Sequence, residues 1–132
     1  MLGRDDAIKT IQMAYAARVR GDKEALSQYW AEGAHFEIVG DPTLLEGVPL
    51  SAPEPMEAVS ALIDRFEFSD LKLLNSVVDG ADIAVRWAVT ITVAGKPPVN
   101  TQLFDLIKLN EAGKIVSLVQ FVDTALVRHL AG

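Results

Sequence analysis

A chain of 132 residues has the size of one domain, and a composition with 50% hydrophobic and 23% charged residues is globular rather than disordered. Its 12 basic and 18 acidic residues give a formal net charge of −6, which argues against general electrostatic binding to nucleic acid or to an anionic membrane. The absence of cysteine excludes disulfides, thiol chemistry and thiolate metal sites. With no apolar run near the roughly 20 residues of a transmembrane helix, we expect one cytoplasmic domain over residues 1–132.

Apolar residues recur at helical spacing in three segments, 5–20, 22–32 and 56–66. A glycine follows each of the first two segments, and prolines stand at the start of the third, as is typical of helix ends and helix beginnings. Tyr15 lies in the middle of the first apolar stripe. The sequence therefore predicts three helices before the main sheet.

Strand patterns follow. A short strand is expected at 34–39, and the segment 40–55, which holds four prolines and two glycines, is expected to form a loop. From residue 71 the apolar period changes to two, which predicts strands at 71–78 and 83–93 and then a long hairpin over 99–123. Helices followed by an antiparallel meander of four strands indicate an α+β domain with the helices on one face of the sheet.

Asp105 breaks the apolar pattern of the hairpin. Because side chains alternate along a strand, it shares a face with Leu103, Ile107 and Leu109, and its carboxylate points toward whatever the sheet buries. This placement predicts a small pocket with apolar walls and a polar anchor. The competing interpretation is a structural aspartate paired with a hydroxyl or an arginine, and the pattern leaves both open.

The candidate catalytic residues are Asp105 and Tyr15, although a buried tyrosine whose hydroxyl is satisfied in the core is the alternative for the second. Core packing also competes with ligand contact for the aromatic and aliphatic residues of the pocket. The residues expected to line the pocket are Trp30, Ile38, Phe66, Trp87, Leu118, Gln120 and Val122.

Other polar residues receive a structural interpretation. His35 alternates with inward-facing residues and is assigned to the surface, and His129 lies in the C-terminal helix, so the two histidines form no metal-ligand cluster. Asp123 is placed to cap the closing helix, and Arg86 faces away from Trp87. Because phosphate loops and nucleotide fingerprints are also missing, we expect no cofactor and no metal.

The opposite face of the sheet is also partly apolar. Helices on one face leave the other uncovered, and an exposed apolar patch of this kind usually marks an interface. We therefore predict a homodimer that forms through the sheet face. The apolar residues assigned to this face are Phe104, Leu106, Val119 and Phe121.

Five segments together resemble the SnoaL-like and ketosteroid isomerase-like branch of the nuclear transport factor 2-like superfamily. They are GDKEAL at 21–26, YWAEGA at 29–34, FDLIKL at 104–109, EAGKI at 111–115 and FVDTAL at 121–126. The resemblance implies a cone-like curved antiparallel sheet packed on three helices, a cystatin-like α+β barrel, with a cavity inside. Members of the superfamily include isomerases, polyketide cyclases, epoxide hydrolases, dehydratases and binding modules without chemistry.

Individual site residues of the family are only partly matched. The position of the isomerase's general base falls on Ile38, which cannot accept a proton, whereas the oxyanion-hole aspartate falls on Asp105. The oxyanion-hole tyrosine falls on Ala14, next to Tyr15, and the acidic residue of the last strand in hydrolases and cyclases falls on Gln120. The resemblance therefore favours a ketosteroid isomerase-like oxyanion site over an epoxide hydrolase.

The resulting prediction is a protein that binds a small apolar ligand, with Asp105 as the polar anchor. If it is an enzyme, the resemblance implies a cofactor-free isomerase or cyclase that transfers protons on an apolar carbonyl compound, and Asp105 is then the donor or the base. The alternative is a non-catalytic dimeric interaction module of the same fold.

Overall fold

The computed structural model describes residues 3–132. Its elements form an α+β fold in which three helices precede the main strands and a fourth closes the chain. The helices are α1 (Arg4–Arg20), α2 (Lys23–Ser27), α3 (Pro55–Arg65) and α4 (Thr124–Ala131). The strands are β1 (Trp30–Ile38), β2 (Glu67–Asp79), β3 (Asp82–Thr92), β4 (Val99–Leu109) and β5 (Ile115–Phe121).

The strands form one five-stranded sheet in the order β1-β5-β4-β3-β2. The strands β2 to β5 pair antiparallel, as the meander pattern predicts, but β1 joins the far edge parallel to β5. The sheet is therefore mixed rather than purely antiparallel, and it is curved and open rather than closed into a barrel. Parallel pairing of β1 with a strand more than 80 residues later leaves no local signature, which is why the sequence pattern missed it.

The helical hairpin is shorter than its sequence pattern suggests. The helix predicted over 22–32 ends at Ser27, and Trp30 instead begins β1. The carbonyl of Tyr29 accepts a hydrogen bond of 2.7 Å from the backbone N–H of Ile115 at the start of β5. Pairing with β5 satisfies the backbone in an extended conformation, and tertiary contact thereby overrides the helical periodicity.

Strand β2 begins at Glu67, four residues before the position predicted from the period of two. Its register with β3 shifts between Ser69 and Lys72, where Asp70 has a positive φ of 49°. An extra residue at such a bulge reverses the alternation of side chains, which is why the period of two did not extend back to Glu67. A second register shift follows between Leu73 and Asn75.

The inner face of the sheet, the one that packs on α1 and α3, forms the core. Strand β3 shows strict alternation: its inner side chains are almost completely buried, and Arg86 between them is exposed. The predicted loop carries Leu44, Leu45 and Val48 into the same core, so this segment covers one side of it. Among residues 3–132, no helix is both long and apolar enough to cross a membrane. The buried inner residues of β3 are Ile83, Val85, Trp87, Val89 and Ile91.

The chain folds back over the core through α4. As predicted, Asp123 caps this helix, because its side chain accepts a hydrogen bond of 3.1 Å from the backbone N–H of Leu126. At the other end, the Nζ atom of Lys96 donates to the carbonyls of His129 and Leu130 at 2.7 and 3.0 Å. These contacts hold the buried Val127 of α4 against the core.

Candidate functional site

A cavity of about 90 Å³ lies between the inner face of the sheet and the helices. A single water needs roughly 10–15 Å³, so this space accepts several waters or a small organic molecule. Its walls are mostly aliphatic and aromatic, and they come from the four helices, the sheet and the 39–54 loop. The lining residues are Ala14, Tyr15, Arg18, Leu26, Trp30, Phe36, Ile38, Leu45, Val59, Leu62, Phe66, Phe68, Ile91, Leu103, Ile115, Leu118, Gln120, Val122 and Val127.

A buried polar group, here called the Asp105 cluster, consists of Tyr15, Trp87, Asp105 and Gln120. Asp105 is 0% exposed. Its Oδ2 atom accepts hydrogen bonds from the Tyr15 hydroxyl and, at 3.1 Å, from Nε1 of Trp87. Its Oδ1 atom accepts a bond of 3.1 Å from Nε2 of Gln120, and the same nitrogen donates to the Tyr15 oxygen at 3.1 Å. Three neutral donors therefore surround one carboxyl group.

Strand register and a helix turn bring these four side chains together. Asp105 of β4 lies directly opposite Gln120 of β5 and Val85 of β3. Trp87, two residues after Val85, therefore lies on the same face of the sheet. Tyr15 reaches the group from the middle of α1, and its ring packs on Trp87 with centroids 4.3 Å apart. Residues distant in sequence thus form one hydrogen-bonded group.

The structure places most of the predicted pocket residues around one space. Of the seven, six lie on the cavity wall, together with Tyr15; they are Trp30, Ile38, Phe66, Leu118, Gln120 and Val122. Trp87 differs from the expectation, because it lies behind Tyr15 rather than on the wall. Asp105 also lies behind the wall, so Tyr15 and Gln120 stand between its carboxyl group and the cavity.

The SnoaL-like domain family matches residues 11–118, which is most of the chain. The chain belongs to the SnoaL-like family. Solved structures agree with the cone-like fold of the nuclear transport factor 2-like superfamily. One such protein, from Burkholderia xenovorans, superposes with a TM-score of 0.75 at 20% sequence identity and covers 100% of both chains. No curated protein matches the sequence at a significant level.

Two further solved structures similar to this SnoaL-like protein are enzymes. SalBIII, an epoxide hydrolase/cyclase-like enzyme with a role in pyran ring formation in the polyether salinomycin, aligns at a TM-score of 0.74 and 20% identity, over 95% of this chain and 96% of its own. An LEH-like epoxide hydrolase from Mycobacterium tuberculosis aligns at 0.73 and 14%, over 96% and 90%. At these identities the likeness shows a shared fold.

Burial controls the electrostatics of the Asp105 cluster. Removal of the carboxyl group from water raises the pKa of Asp105 to about 6, although its hydrogen bonds from Tyr15, Gln120 and Trp87 act in the opposite direction. Burial, followed by the nearby Asp105 charge, raises the pKa of the Tyr15 hydroxyl well above its usual value of 10.0. Tyr15 is therefore neutral at physiological pH, whereas Asp105 changes its charge close to it.

Arg18 of the cavity wall was not identified from the sequence, and Trp30 was predicted as a lining residue without a role for its indole N–H. Arg18 is buried, and its Nη2 atom donates to the carbonyl oxygen of Phe66 at 2.7 Å while the guanidinium lies over the ring of Phe68. Its spacing of three residues from Tyr15 on α1 was the available signal, because residues at i and i+3 share a helix face. The Nε1 atom of Trp30 is buried without a hydrogen-bond partner among residues 3–132.

The remaining polar candidates lie away from the cavity. His35 is exposed and its Nε2 atom lies 3.2 Å from Oε1 of Glu37. Arg86 is on the outer face of the sheet, where it donates to Oδ1 of Asn75 and Oε1 of Gln102. Within the described part of the chain, no group of three or more His, Asp or Glu side chains is arranged to hold a metal ion.

Proposed function

We propose that this SnoaL-like protein binds a small, largely apolar carbonyl compound in the cavity and transfers protons on it without a cofactor. The observation that carries this proposal is the hydrogen bond between the hydroxyl of Tyr15, a residue that lines the cavity, and the fully buried Asp105 behind it. A carboxyl group that titrates near neutrality in an apolar site is typical of acid–base catalysis. Tyr15 is the group that touches the ligand, and Asp105 acts through it.

The charge of Asp105 determines what Tyr15 offers to a ligand. When Asp105 is ionised, it accepts a hydrogen bond from the Tyr15 hydroxyl, and the tyrosine oxygen is then available to accept a proton from the ligand. When Asp105 is protonated it donates to that oxygen, which frees the Tyr15 proton for donation into the cavity. Because the pKa of Asp105 is about 6, both states are accessible near neutral pH.

Tyr15 and Asp105 together can carry out an enolisation of the ligand. The C–H bond next to the ligand carbonyl breaks, its proton passes to the Tyr15 oxygen, and the Tyr15 proton passes to Asp105. The electron pair of that C–H bond forms the enolate, whose charge lies on the carbonyl oxygen. Return of the proton to another carbon completes an isomerisation.

The composition of the wall favours this relay over direct attack by a carboxylate. None of the nineteen lining residues, all from residues 3–132, is aspartate or glutamate, so no carboxylate touches the ligand directly. The fold itself is shared with a cyclase-like enzyme and an epoxide hydrolase, which supports chemistry on small organic molecules. Tyr15 is the wall residue with both a transferable proton and a titratable partner.

The test measures exchange of solvent deuterium into the α-carbon of small apolar ketones and enones, by mass spectrometry. We expect the exchange rate to rise as the pH passes through about 6, because the ionised form of Asp105 is the base. Tyr15→Phe is expected to lower the rate by roughly 100-fold or more, the size of an acid–base contribution. Tyr29→Phe is the matched control, because Tyr29 does not line the cavity. Equal rates in all three proteins would overturn the proposal.

A second proposal concerns the outer face of the sheet, which supports the alternative of a dimeric interaction module. Val77, Ala84, Leu106 and Val119 lie opposite one another on four adjacent strands, and Val77 and Leu106 are 65% and 47% exposed. We propose that a second copy of the chain covers this apolar row, because the helices pack on the other face and leave it open. Sedimentation of the purified protein tests it, and a monomer at micromolar concentration would overturn it.

A further inference from the structure

The second polar feature of the cavity is a buried cation. Arg18 is 8% exposed, and it is the only charged residue among the nineteen lining residues, which all belong to the described range 3–132. Its guanidinium carbon lies 3.7 Å from the centre of the Phe68 ring. The Nη2 atom donates to the carbonyls of Phe66 and Leu62 at 2.7 and 3.4 Å. The cation is therefore held in a fixed position by neutral groups.

No carboxylate neutralises this cation. Within residues 3–132, no aspartate or glutamate oxygen lies within 4.0 Å of the Arg18 guanidinium. Burial lowers the pKa of Arg18 to about 10, which still leaves the side chain charged at neutral pH. The hydrogen bonds of Arg18 within this part of the chain involve Nη2, so the N–H groups of Nε and Nη1 remain available. An unpaired buried charge is costly and is normally compensated by a counter-ion.

We propose that the ligand of this cavity is an organic monoanion, an apolar carboxylic acid whose carboxylate pairs with Arg18. This inference rests on the proposed function, since it specifies the small molecule that the cavity binds. Arginine pairs with carboxylates through short, charge-assisted hydrogen bonds, and the apolar remainder of the wall accommodates a hydrocarbon body. A neutral ligand would bury the cation without compensation, and a cationic ligand would be repelled.

The position of Arg18 relative to Tyr15 further limits the ligand. The two residues lie three positions apart on α1, which is about 4.5 Å along the helix axis. They are close enough for the charge of Arg18 to affect the Tyr15 hydroxyl, because Arg18 acts to lower the pKa of Tyr15. A ligand that engages both groups therefore has its reactive carbonyl only a few bonds from its carboxylate. A short-chain or cyclic oxo acid meets this requirement.

The test compares acids with their uncharged amides by isothermal titration calorimetry. The probes are cyclohexanecarboxylate with cyclohexanecarboxamide and benzoate with benzamide, pairs that differ in charge but hardly in size. We expect the acids to bind roughly 10-fold or more tightly than their amides, the size of a hydrogen bond to a charged group. Arg18→Met is expected to remove this preference while the apolar stem is retained. Arg20→Met is the matched control, because it removes an exposed arginine from the same helix.

A second readout covers the case in which Arg18→Met does not fold. In the wild-type protein labelled with ¹⁵N, the Nε–H signal of Arg18, assigned from its loss in Arg18→Lys, is expected to shift when cyclohexanecarboxylate is added. The amide is expected to leave this signal unchanged. The Arg18→Lys variant keeps a positive charge and is expected to retain part of the preference for the acid.

The outcomes separate this inference from the proposed function. Equal binding of acids and amides, or a preference that persists in Arg18→Met, would overturn the anion assignment while binding in the cavity stands. Absence of binding by every probe would overturn it as well. Deuterium exchange is measured independently, into neutral ketones and into short-chain oxo acids, and it depends on Tyr15. Its presence in either class, or its absence from both, decides the proposed function whatever the probes show.

Discussion

Each face of the sheet carries a hydrogen-bonded polar group, and both groups include residues of β3 and β4. On the inner face, Asp105 accepts hydrogen bonds from three side chains and is completely buried. On the outer face, Arg86 donates to Asn75 at 2.7 Å and to Gln102 at 3.2 Å, and it is exposed to water. Both groups are hydrogen-bonded to side-chain oxygens, so the presence of hydrogen bonds does not distinguish them.

Separation from water makes the difference between the faces. Burial raises the pKa of Asp105 to about 6 because a charged carboxylate loses its hydration there, and three neutral donors only partly replace it. The amides around Arg86 compete with water on an open surface, where such contacts contribute little. The comparison teaches that the helices over one face of the sheet, which exclude water, produce the shifted pKa of Asp105.

The largest effect on stability is expected for Asp105→Ala, which removes the hydrogen-bond acceptor of the Asp105 cluster. The hydroxyl of Tyr15, the indole N–H of Trp87 and the amide of Gln120 would then be buried without this partner. We expect a loss of about 3–5 kcal/mol in the free energy of unfolding at mildly acidic pH, because each unpaired buried donor costs roughly 1–3 kcal/mol. Chemical denaturation measures this free energy, and a loss below about 1 kcal/mol would contradict the hydrogen bonds assigned to the Asp105 cluster.

The next effect is a dependence of stability on pH. The pKa of Asp105 is about 6 in the folded protein, compared with about 3.9 in an unfolded chain. The folded state therefore binds the proton more tightly, and stability from this group is full below about pH 4 and falls as the pH rises through about 6. The difference corresponds to about 3 kcal/mol.

Asp105→Asn isolates this dependence from the other carboxyl groups. We expect the wild-type protein to lose about 3 kcal/mol relative to the variant between roughly pH 3 and pH 7. Asp79→Asn, on the exposed end of β2, is the control and is expected to parallel the wild type. Parallel stability curves for the wild type and Asp105→Asn would show that the carboxyl group is not desolvated.

A smaller effect is expected from a charge on the outer face. Leu106→Glu places a carboxylate in the exposed apolar row beside Asp105 in sequence but on the opposite face. We expect it to weaken dimerisation by roughly 10-fold or more, because an unpaired charge would be buried at the interface. Analytical ultracentrifugation measures the association, and unchanged association would place the interface elsewhere. The rate of deuterium exchange into the ligand, which depends on Tyr15, is expected to stay within about two-fold, since the Asp105 cluster is intact.

The smallest effect is expected for Arg86→Ala. Its partners Asn75 and Gln102 are exposed and can bond to water instead. We expect a change within about 0.5 kcal/mol in the free energy of unfolding. A loss as large as that of Asp105→Ala would remove the distinction between the two faces.

Much of this arrangement follows from residue patterns. The alternation of Leu103, Asp105 and Ile107 placed the carboxyl group on the buried face, and the helical stripe placed Tyr15 in the core; both are confirmed. The N-cap at Asp123 and the family resemblance are confirmed as well. Such features are local, because they depend on side-chain periodicity and on the chemistry of one turn.

Other features required contacts between distant segments. Trp30 belongs to β1 rather than to a helix because β5 supplies its backbone partners, and the bulge at Asp70 shifts the alternation at the start of β2. The position of Trp87 behind Tyr15 depends on the stacking of their rings across the core. No pattern of nearby residues records these distances.

The sequence by itself determined the fold class, the face on which Asp105 lies and the absence of thiol chemistry, because periodicity and composition act locally or on the whole chain. Only the tertiary structure decided that Asp105 reaches the cavity through Tyr15 and that Arg18 is the one charged residue on its described wall. Burial and pairing depend on which side chains meet across the core. The burial and the hydrogen-bond partners of Asp105 and Arg18 are therefore set by residues that lie far from them along the chain.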